Sequence, residues 1–232
     1  MEKIQSPEDV KKLDVEQLKV LAGEMRQALI QKLSVHGGHV GPNLGMVEAT
    51  IAMHYVFDSP KDKMVFDVSH QSYCHKMLTG RADAFLDEAK YDDVSGYSEP
   101  SESAHDFFCI GHTSTSVSLA CGLAKARDLA DENYNVIAVI GDGSLSGGEA
   151  LEGLDFAKEL NGNLIVVVND NEMSIAENHG GLYENLKLLR DTKGQAECNI
   201  FKAMGLNYVF VEDGNDLTQL IDAFKRVKDS KA

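Results

Sequence analysis

Hydrophobic residues in this 232-residue chain form two kinds of pattern. Two short apolar runs, Val136 to Ile140 and Leu164 to Val168, are β-branched and show no alternation with polar residues. Such runs are typical of strands that are buried on both faces of a parallel sheet. The stretch between them, Ser146 to Leu160, has helical spacing. The unit is therefore βαβ, and its right-handed crossover places the carboxyl ends of both strands at one edge of the sheet.

The remaining elements follow from the same patterns and from their flanking glycines and capping residues. Helices are predicted from Ser6, from Asp14 to Gly37-Gly38, over Val47 to Phe57, Gln71 to Leu78, Thr113 to Leu129, Gly180 to Ala203 in two pieces, and Leu217 to Lys228. Strands are predicted over Met64 to Val68 and Tyr208 to Val211, with a loop from His36 to Gly45. Residues 83–108 are irregular and polar, typical of a surface flap or subunit contact. Alternating strands and helices predict one α/β domain over residues 1–232, with a doubly wound, mostly parallel sheet and helices on both faces.

Polar residues follow both central strands at the point where each strand ends. Gly141-Asp142-Gly143 comes after the first run, and Asn169-Asp170-Asn171 comes after the second. A carboxylate and an amide oxygen are hard ligands that suit Mg²⁺, which takes its remaining ligands from phosphate and water. Gly143 removes a side chain where the backbone would approach a phosphate, and Ser144 adds a donor. The pair of motifs therefore predicts a magnesium and diphosphate site at this sheet edge.

Other readings of these motifs are weaker. A single Gly-Asp-Gly after a strand is an ordinary turn, and only its pairing with the second motif favours ligand binding. The second motif lacks the glycine that an EF-hand loop requires at its sixth position. No GxGxxG follows a strand, which argues against a dinucleotide fold.

Three histidines lie in glycine-rich or turn-rich contexts beside predicted strand ends. His39 lies in HGGHVGPNLG, His70 in FDVSHQ and His112 in GHTSTS. We take these three as candidate catalytic residues, although a single histidine in such a context is more often structural. We expect no site role for the other histidines: His36, His54 on a helix face, His75, and the solvated His105 and His179.

The composition narrows the class of protein. A formal charge of −15 argues against nucleic acid and anionic membranes as partners, because both select basic proteins. The acidic net charge is compatible with an anionic ligand when a cation bridges that ligand to the protein. The four cysteines form no CxxC pair, so we expect reduced, mostly buried thiols and no zinc site. No apolar run spans a bilayer and no signal peptide is evident, so we expect a cytoplasmic protein.

Five blocks of sequence together resemble a known family. SVHGGHVGPNLGMVEAT, FDVSHQSYCHKMLTGR, SESAHDFFCIGHTSTS, IGDGSLSGGEALEGL and VVVNDNEMSIAEN run in family order from residue 34 to 178. They are similar to the thiamine-diphosphate-binding domain of the 1-deoxy-D-xylulose-5-phosphate synthases, a branch of the transketolase family. Transketolases share the magnesium motif, whereas HKxLTGR, GHxSTS and NDNEMSI are specific to this branch. Beyond residue 178 the similarity is weaker and resumes near FKAMGLNYVFVEDGNDL.

The resemblance implies thiamine diphosphate and Mg²⁺ as cofactors and a role in isoprenoid biosynthesis. Family members join pyruvate to glyceraldehyde 3-phosphate and release carbon dioxide. The resemblance implies Asp142, Asn171 and the Met173 carbonyl as magnesium ligands; Gly143, Ser144 and Asn171 at the diphosphate; His70, Gly111, His112 and Thr113 along the cofactor; and His39 facing the substrate. It also implies a homodimer.

The chain departs from the family in ways that affect the expected activity. Phe66 and Ser69 replace a tryptophan and a glycine, a basic residue is absent near Ser98-Glu99-Pro100, and the region after Asn178 is short. The pyrimidine-binding domain, whose glutamate activates the cofactor, and the C-terminal domain are missing. We therefore expect the chain to be inactive alone, as a fragment or as one subunit of a split enzyme. A split transketolase and a non-catalytic scaffold of the same fold are the alternatives.

Overall fold

The computed structural model describes residues 1, 3–174 and 176–230 of the chain. Helices α1 to α12 span Pro7–Val10, Val15–His36, Val40–Leu44, Val47–Val56, Tyr73–Lys76, Asp83–Leu86, Ser116–Leu129, Asp142–Leu145, Gly148–Phe156, Gly181–Asp191, Ile200–Ala203 and Leu217–Val227. Strands β1 to β5 span Lys63–Phe66, Val136–Gly141, Leu164–Asn169, Met173–Ser174 and Ala176–Glu177. A π-helical turn covers Met77–Arg81, and short 3₁₀ turns cover Glu88–Lys90 and Ala157–Glu159.

The central sheet has three parallel strands in the order β1-β2-β3. Alternate residues of these strands enter two different hydrophobic clusters. One face carries Met64, Phe66, Ile137, Val139 and Ile165 and packs against α2, α4 and α12. The other carries Val65, Val136, Ala138 and Ile140 and packs against α7, α9 and α10. The predicted parallel sheet with helices on both faces is confirmed. The described strands are sequential, without the reversal of order that a doubly wound sheet contains.

The sequence located most elements within a few residues, and the differences have local causes. β1 ends at Phe66, two residues before the predicted end, because Val68 and Ser69 have φ values of 56° and 67°, which no strand accommodates. The predicted loop from His36 to Gly45 contains α3. The predicted helix from Gln71 is only the four residues of α5, followed by the π-helical turn that reverses at Gly80, where φ is 89°.

The predicted strand from Tyr208 to Val211 is wrong, since none of its residues is in a strand. Its aromatic and β-branched side chains are half-buried and make side-chain contacts instead. Tyr208 stacks on Phe201, with ring centroids 5.7 Å apart, and lies against Gly194 together with Phe210. High β propensity reports how well side chains fit a half-buried surface, and this segment finds such a surface without a hydrogen-bonded neighbour.

Residues 83–108 have little regular structure, as predicted, yet they are tied to the body of the domain by buried polar groups. The ammonium group of Lys32, in α2, donates to the carbonyls of Ala84 and Tyr91, each at 2.9 Å. Ser98 and Asp106 are buried as well. The segment therefore lies over the surface, as predicted, but it is fastened to the domain through these buried groups.

The HKxLTGR motif forms most of this attachment. Its Lys76 pairs with Glu102, and its Arg81 pairs with Glu102 and Asp106. His75 lies between His54, with a nitrogen–nitrogen distance of 2.9 Å, and the Asp106 carboxylate at 3.2 Å. We expected no site role for His75, and its buried contacts with His54 and Asp106 are structural. The motif holds SESAHD of residues 101–106 against α5.

Of the histidines that we placed outside the site, His54 lies on a helix, as predicted, and His105 is less exposed than expected. His54 is completely buried, and desolvation lowers its pKa well below the usual value. His105 is half-buried rather than solvated; burial, followed by the neighbouring His75, lowers its pKa to about 4. His179 is exposed, as predicted. The rings of His54 and His105 are therefore neutral at neutral pH, which suits their buried positions.

The structure shows the state of the four cysteines and tests the described helices as membrane spans. Cys74, Cys109, Cys121 and Cys198 are free; only Cys74 and Cys121 are buried, so the expectation of mostly buried thiols holds for half of them. Desolvation raises the pKa of Cys74 to about 12 and that of Cys121 to about 11, so both are inert thiols. Across the described residues, no helix combines the length and apolarity that crossing a bilayer requires.

Candidate functional site

The candidate residues lie on loops at the carboxyl edge of the parallel sheet. Asp67, directly after β1, accepts the main-chain N–H groups of Ser114 and Ser116, each at 2.9 Å. The Ser114 hydroxyl in turn donates to the carbonyl of Ser144, after β2, at 2.6 Å. Open α/β sheets bind ligands at this edge. The loop that carries His112 is thus fastened to the ends of two strands.

Asn43 joins the glycine-rich segment that carries His39 to the turn that carries His70. Its side chain is completely buried, donates to the carbonyls of His39 (2.7 Å) and His70 (2.8 Å), and accepts the N–H of Tyr73 (3.0 Å). The rings of His39 and His70 meet edge to face, with centroids 5.3 Å apart. The structure therefore brings these two predicted residues together. The sequence analysis missed Asn43, although its place in HGGHVGPNLG was a signal.

The two neighbouring histidines differ in their polar partners. His39 Nδ1 shares a hydrogen bond with the Tyr73 hydroxyl at 3.1 Å, which leaves Nε2 as the nitrogen for exchanging a proton. Burial, and then the proximity of His39, lowers the pKa of His70, against the opposing effect of Asp67. His70 Nδ1 is buried without a hydrogen-bond partner. Buried polar atoms in a protein core normally have a hydrogen-bond partner, so the unpartnered His70 Nδ1 favours a site that binds a polar ligand.

His112, Gly111 and Thr113 form an exposed turn at the same edge. His112 Nδ1 shares a hydrogen bond of 2.7 Å with the Thr113 carbonyl, so its ring lies back on its own loop. Ser114 follows with a φ of 72°. The predicted contact of this turn with a cofactor stays a prediction.

Asp142, at the start of α8, is a buried acid at this edge. It is 2% exposed and accepts the Asn178 amide at 2.8 Å. Desolvation, and then the nearby Asp170 carboxylate, raises its pKa to about 6, against N–H groups of Gly143 and Glu172 that lower it. Two carboxylates therefore converge at the ends of β2 and β3. The sequence analysis named Asp170 only as part of its motif, and it missed Asn178.

Asn171 and Met173, the other two predicted metal ligands, lie on the segment that leads from β3 into β4. Asn171 is exposed, and its amide oxygen accepts the N–H of Met173 at 3.1 Å. The structure places this segment beside Asp142 through the Asp170 and Asn178 contacts. Coordination of one ion by Asp142, Asn171 and Met173 stays a prediction.

Gly143 has a structural reason for being glycine in addition to the predicted one. A Cβ atom at this position would lie 2.3 Å from the Cβ of Ser174, in β4. The β4–β5 pair therefore packs directly on the glycine backbone. The close approach that we predicted for a phosphate is, on this side of Gly143, made by a protein side chain.

Ser69 stands where the family resemblance leads us to expect a glycine, and its side chain joins two backbone segments. Its buried hydroxyl donates to the carbonyl of Ile110 (2.8 Å) and accepts the N–H of Ser98 (2.9 Å). Its φ of 67° lies in the left-handed region, which favours glycine. Ser69 is therefore in a strained backbone conformation, and its hydroxyl links the backbone at Ile110 to the backbone at Ser98.

We expect Ser69→Ala to lower the free energy of unfolding by about 2 kcal/mol, because it keeps the strain and leaves the buried Ser98 N–H unsatisfied. Ser69→Gly loses the same hydroxyl but relieves about 1 kcal/mol of left-handed strain, so its stability should lie between alanine and wild type. Urea unfolding of the three proteins checks this order. An alanine variant as stable as wild type would show that the hydroxyl contributes nothing.

The residues at this edge fit a divalent cation and an anionic ligand by the chemistry of their donors. The convergence of two carboxylates at Asp142 is unfavourable in the protein alone and is relieved by a cation. Within the described parts of the chain, no group of three His, Cys, Asp or Glu side chains is arranged for a metal. The predicted magnesium ligands do not form such a cluster, because a Mg²⁺ that also binds phosphate takes only one or two side chains from the protein.

Comparisons with known proteins agree with the sequence resemblance. A family model described as 1-deoxy-D-xylulose-5-phosphate synthase matches residues 1–199. The chain is 44% identical over 265 residues to the synthase of Dictyoglomus turgidum, covering 99% of this chain and 43% of the relative. It is 53% identical over 190 residues to that of Pelotomaculum thermopropionicum, covering 82% of this chain and 30% of the relative. The chain spans less than half of the length of these relatives.

Solved structures show the same fold. Transketolase from Leishmania mexicana superposes with a TM-score of 0.70 at 20% identity, covering 94% of this chain and 35% of that protein. Transketolase from Campylobacter jejuni gives a TM-score of 0.69 at 20% identity, covering 94% of this chain and 37% of that protein. At this identity the likeness concerns the fold alone.

Proposed function

Since the chain belongs to the 1-deoxy-D-xylulose-5-phosphate synthase family and covers its N-terminal region, we propose that it binds the magnesium and diphosphate of thiamine diphosphate. In this proposal it is one domain, over residues 1–232, of a transferase that joins pyruvate to glyceraldehyde 3-phosphate. The observation that supports it most is that Asp142, directly after β2, is hydrogen-bonded through Asn178 to the segment that follows β3, at the sheet edge where His70 follows β1.

Different residues of the chain would bind the metal, the diphosphate and the rest of the cofactor. Asp142, the Asn171 amide oxygen and the Met173 carbonyl would hold Mg²⁺, while Gly143, Ser144 and Asn171 would contact the diphosphate. His70, Gly111, His112 and Thr113 would line the rest of the cofactor. The chain carries a formal charge of −15, which repels an anionic ligand. The bound cation would offset this repulsion at the site.

His39 would face the substrate and move a proton at Nε2. The Tyr73 hydroxyl fixes Nδ1, and Asn43 fixes the main chain of His39. Thiamine diphosphate, when bound, supplies the electron sink for releasing carbon dioxide from a keto acid. A neutral His70 with an unpartnered Nδ1 provides a polar contact beside that place without adding charge.

The remaining domains would come from the rest of the polypeptide or from a second subunit, and a homodimer of the complete enzyme is part of the proposal. The scaffold alternative draws on Ser69 and on the altered loop near Glu99. The Ser69 side chain is hydrogen-bonded to Ile110 and Ser98, and the Glu99 N–H donates to Asp106, so both positions have a structural role in the fold.

Carbon dioxide release tests the proposal in the assembled enzyme. The chain, together with the polypeptide that supplies the missing domains, should release carbon dioxide from pyruvate in the presence of glyceraldehyde 3-phosphate and Mg²⁺. His39→Gln should lower kcat by about 10²–10⁴-fold, the usual contribution of a residue that transfers protons. His179→Gln, at an exposed histidine, is the matched control and should be neutral.

Other outcomes would assign the chain differently. Transfer of two carbons from a sugar phosphate without carbon dioxide release would indicate a split transketolase. Bound cofactor without any turnover would indicate a scaffold. Full activity of His39→Gln would exclude His39 from proton transfer.

A further inference from the structure

Arg190, near the end of α10, contacts two acids of the segment that carries the predicted metal ligands. Its Nη1 donates to the Asp170 carboxylate and its Nη2 donates to the Glu172 carboxylate. These two acids are the immediate neighbours of Asn171. The planar guanidinium group presents its donors in a fixed fork, so holding both carboxylates fixes their separation and their direction.

The segment between these acids has an unusual backbone. Glu172 has a φ of 66°, in the left-handed region, and its N–H donates to the Asp170 carboxylate at 3.2 Å. The next N–H, of Met173, donates to the Asn171 amide oxygen at 3.1 Å. A non-glycine residue keeps such a conformation only where its surroundings hold it. Arg190 is the side chain of α10 that does so.

The same segment is fastened on its far side to Asp142. Asn178 donates to the Asp142 carboxylate at 2.8 Å, and the Ser174 hydroxyl donates to the Asn178 amide oxygen at 2.5 Å. The described residues 170–174 and 176–178 are therefore held from α10 at one end and from the start of α8 at the other. The position of Asn171 and of the Met173 carbonyl relative to Asp142 depends on both attachments.

We infer that Arg190 is a positioning residue for the magnesium site: by bridging Asp170 and Glu172 it holds Asn171 and the Met173 carbonyl in place to bind the cation together with Asp142. The inference rests on the proposed function. Residues that orient metal ligands from behind typically contribute about 10–100-fold to metal affinity.

If Arg190 acted only through its charge, removing it would change the affinity for the cation in the opposite direction. A guanidinium group near a cation site repels the cation, so removing it should tighten binding if electrostatics were its only effect. Loss of positioning should weaken binding instead. The direction of the change therefore separates the two roles.

The experiment measures Mn²⁺ binding to the full chain in the presence of thiamine diphosphate, by electron paramagnetic resonance of free Mn²⁺. Arg190→Gln should weaken Mn²⁺ binding by about 10–100-fold. Arg190→Lys keeps the charge but replaces the fork with one ammonium group, so it should show an intermediate loss. Lys187→Gln is the matched control on the same helix, since Lys187 pairs only with the exposed Asp191 among the described residues.

A further variant separates positioning from general stability. In a background of Glu172→Gln, which already weakens the bridge, Arg190→Gln should have a smaller effect on Mn²⁺ affinity than in wild type. Urea unfolding without metal shows whether each variant is folded. If Arg190→Gln does not fold, Arg190→Lys decides, and wild-type affinity in that variant overturns the inference.

The remaining outcomes are distinguishable from failure of the proposed function. Equal or tighter Mn²⁺ binding by Arg190→Gln, with normal binding by wild type, overturns the positioning role alone. Absence of Mn²⁺ binding by the wild-type chain overturns the proposed function and this inference together.

Discussion

Replacing Asp142 with alanine will weaken magnesium-dependent binding of thiamine diphosphate by more than about 100-fold. Residues that only orient metal ligands already contribute about 10–100-fold, and Asp142 is the one carboxylate in the predicted ligand set. Calorimetric titration of the cofactor with and without Mg²⁺ measures the effect. Asp155→Ala, which removes an exposed acid from α9, has the same change of charge and should bind normally.

The same site should show the opposite effect on stability when metal is absent. Burial and Asp170 raise the pKa of Asp142 to about 6, so its contribution to stability is present below pH 4 and is lost as pH rises through about 6. At about 1.36 kcal/mol per pKa unit, ionisation of Asp142 then costs up to about 3 kcal/mol. Asp142→Asn should therefore be more stable than wild type at pH 7 in EDTA, and this advantage should fade towards pH 4. A variant that is less stable at both pH values would contradict the carboxylate pair.

Replacing Asp106 with asparagine will lower the free energy of unfolding by about 3–5 kcal/mol, the usual cost of breaking a buried ion pair by removing one partner. The Asp106 side chain is 1% exposed and accepts N–H groups from Nη1 and Nη2 of Arg81, at 2.8 and 2.9 Å. It also accepts the N–H of Glu99 at 2.9 Å. Burial works to raise its pKa, but hydrogen bonds from His75 and Arg81 outweigh burial and hold the pKa well below its usual value.

Urea unfolding at pH 7 measures this loss. The matched control is Asp93→Asn, in the same irregular segment, where an exposed acid should change stability by no more than about 0.5 kcal/mol. A loss below about 1 kcal/mol for Asp106→Asn would show that residues 83–108 do not depend on this ion pair. Because the segment leads into the Gly111 to Thr113 turn, its loosening should also weaken cofactor binding.

The sequence predicted those parts of the fold that are encoded locally. The apolar runs at Val136 and Leu164 gave β2 and β3 because buried parallel strands need continuous hydrophobic residues. Ser6 and Asp14 marked helix starts: the Asp14 side chain accepts the N–H of Gln17, and the Ser6 N–H donates to the Asp9 carboxylate. The segment from Tyr208 has strand-like residues but no neighbour to pair with, which a single segment cannot reveal.

The site was predicted as a set of motifs, while the contacts between them were not. Asn43, Asp106 and Arg190 each join segments that are far apart in sequence, so neither periodicity nor spacing singles them out. The role of HKxLTGR was hidden for the same reason, since its charged residues act on SESAHD about 25 residues later. Family resemblance recognised both motifs but did not show that they contact each other.

The most direct test of the magnesium site is the position of Mn²⁺ in crystals grown with Mn²⁺ and thiamine diphosphate, located by anomalous scattering. The proposed function predicts one ion at roughly 2.1 Å from an Asp142 carboxylate oxygen and from the Asn171 amide oxygen, the distance typical of such hard ligands. An ion bound elsewhere, or these two oxygens too far apart to share one, would contradict it.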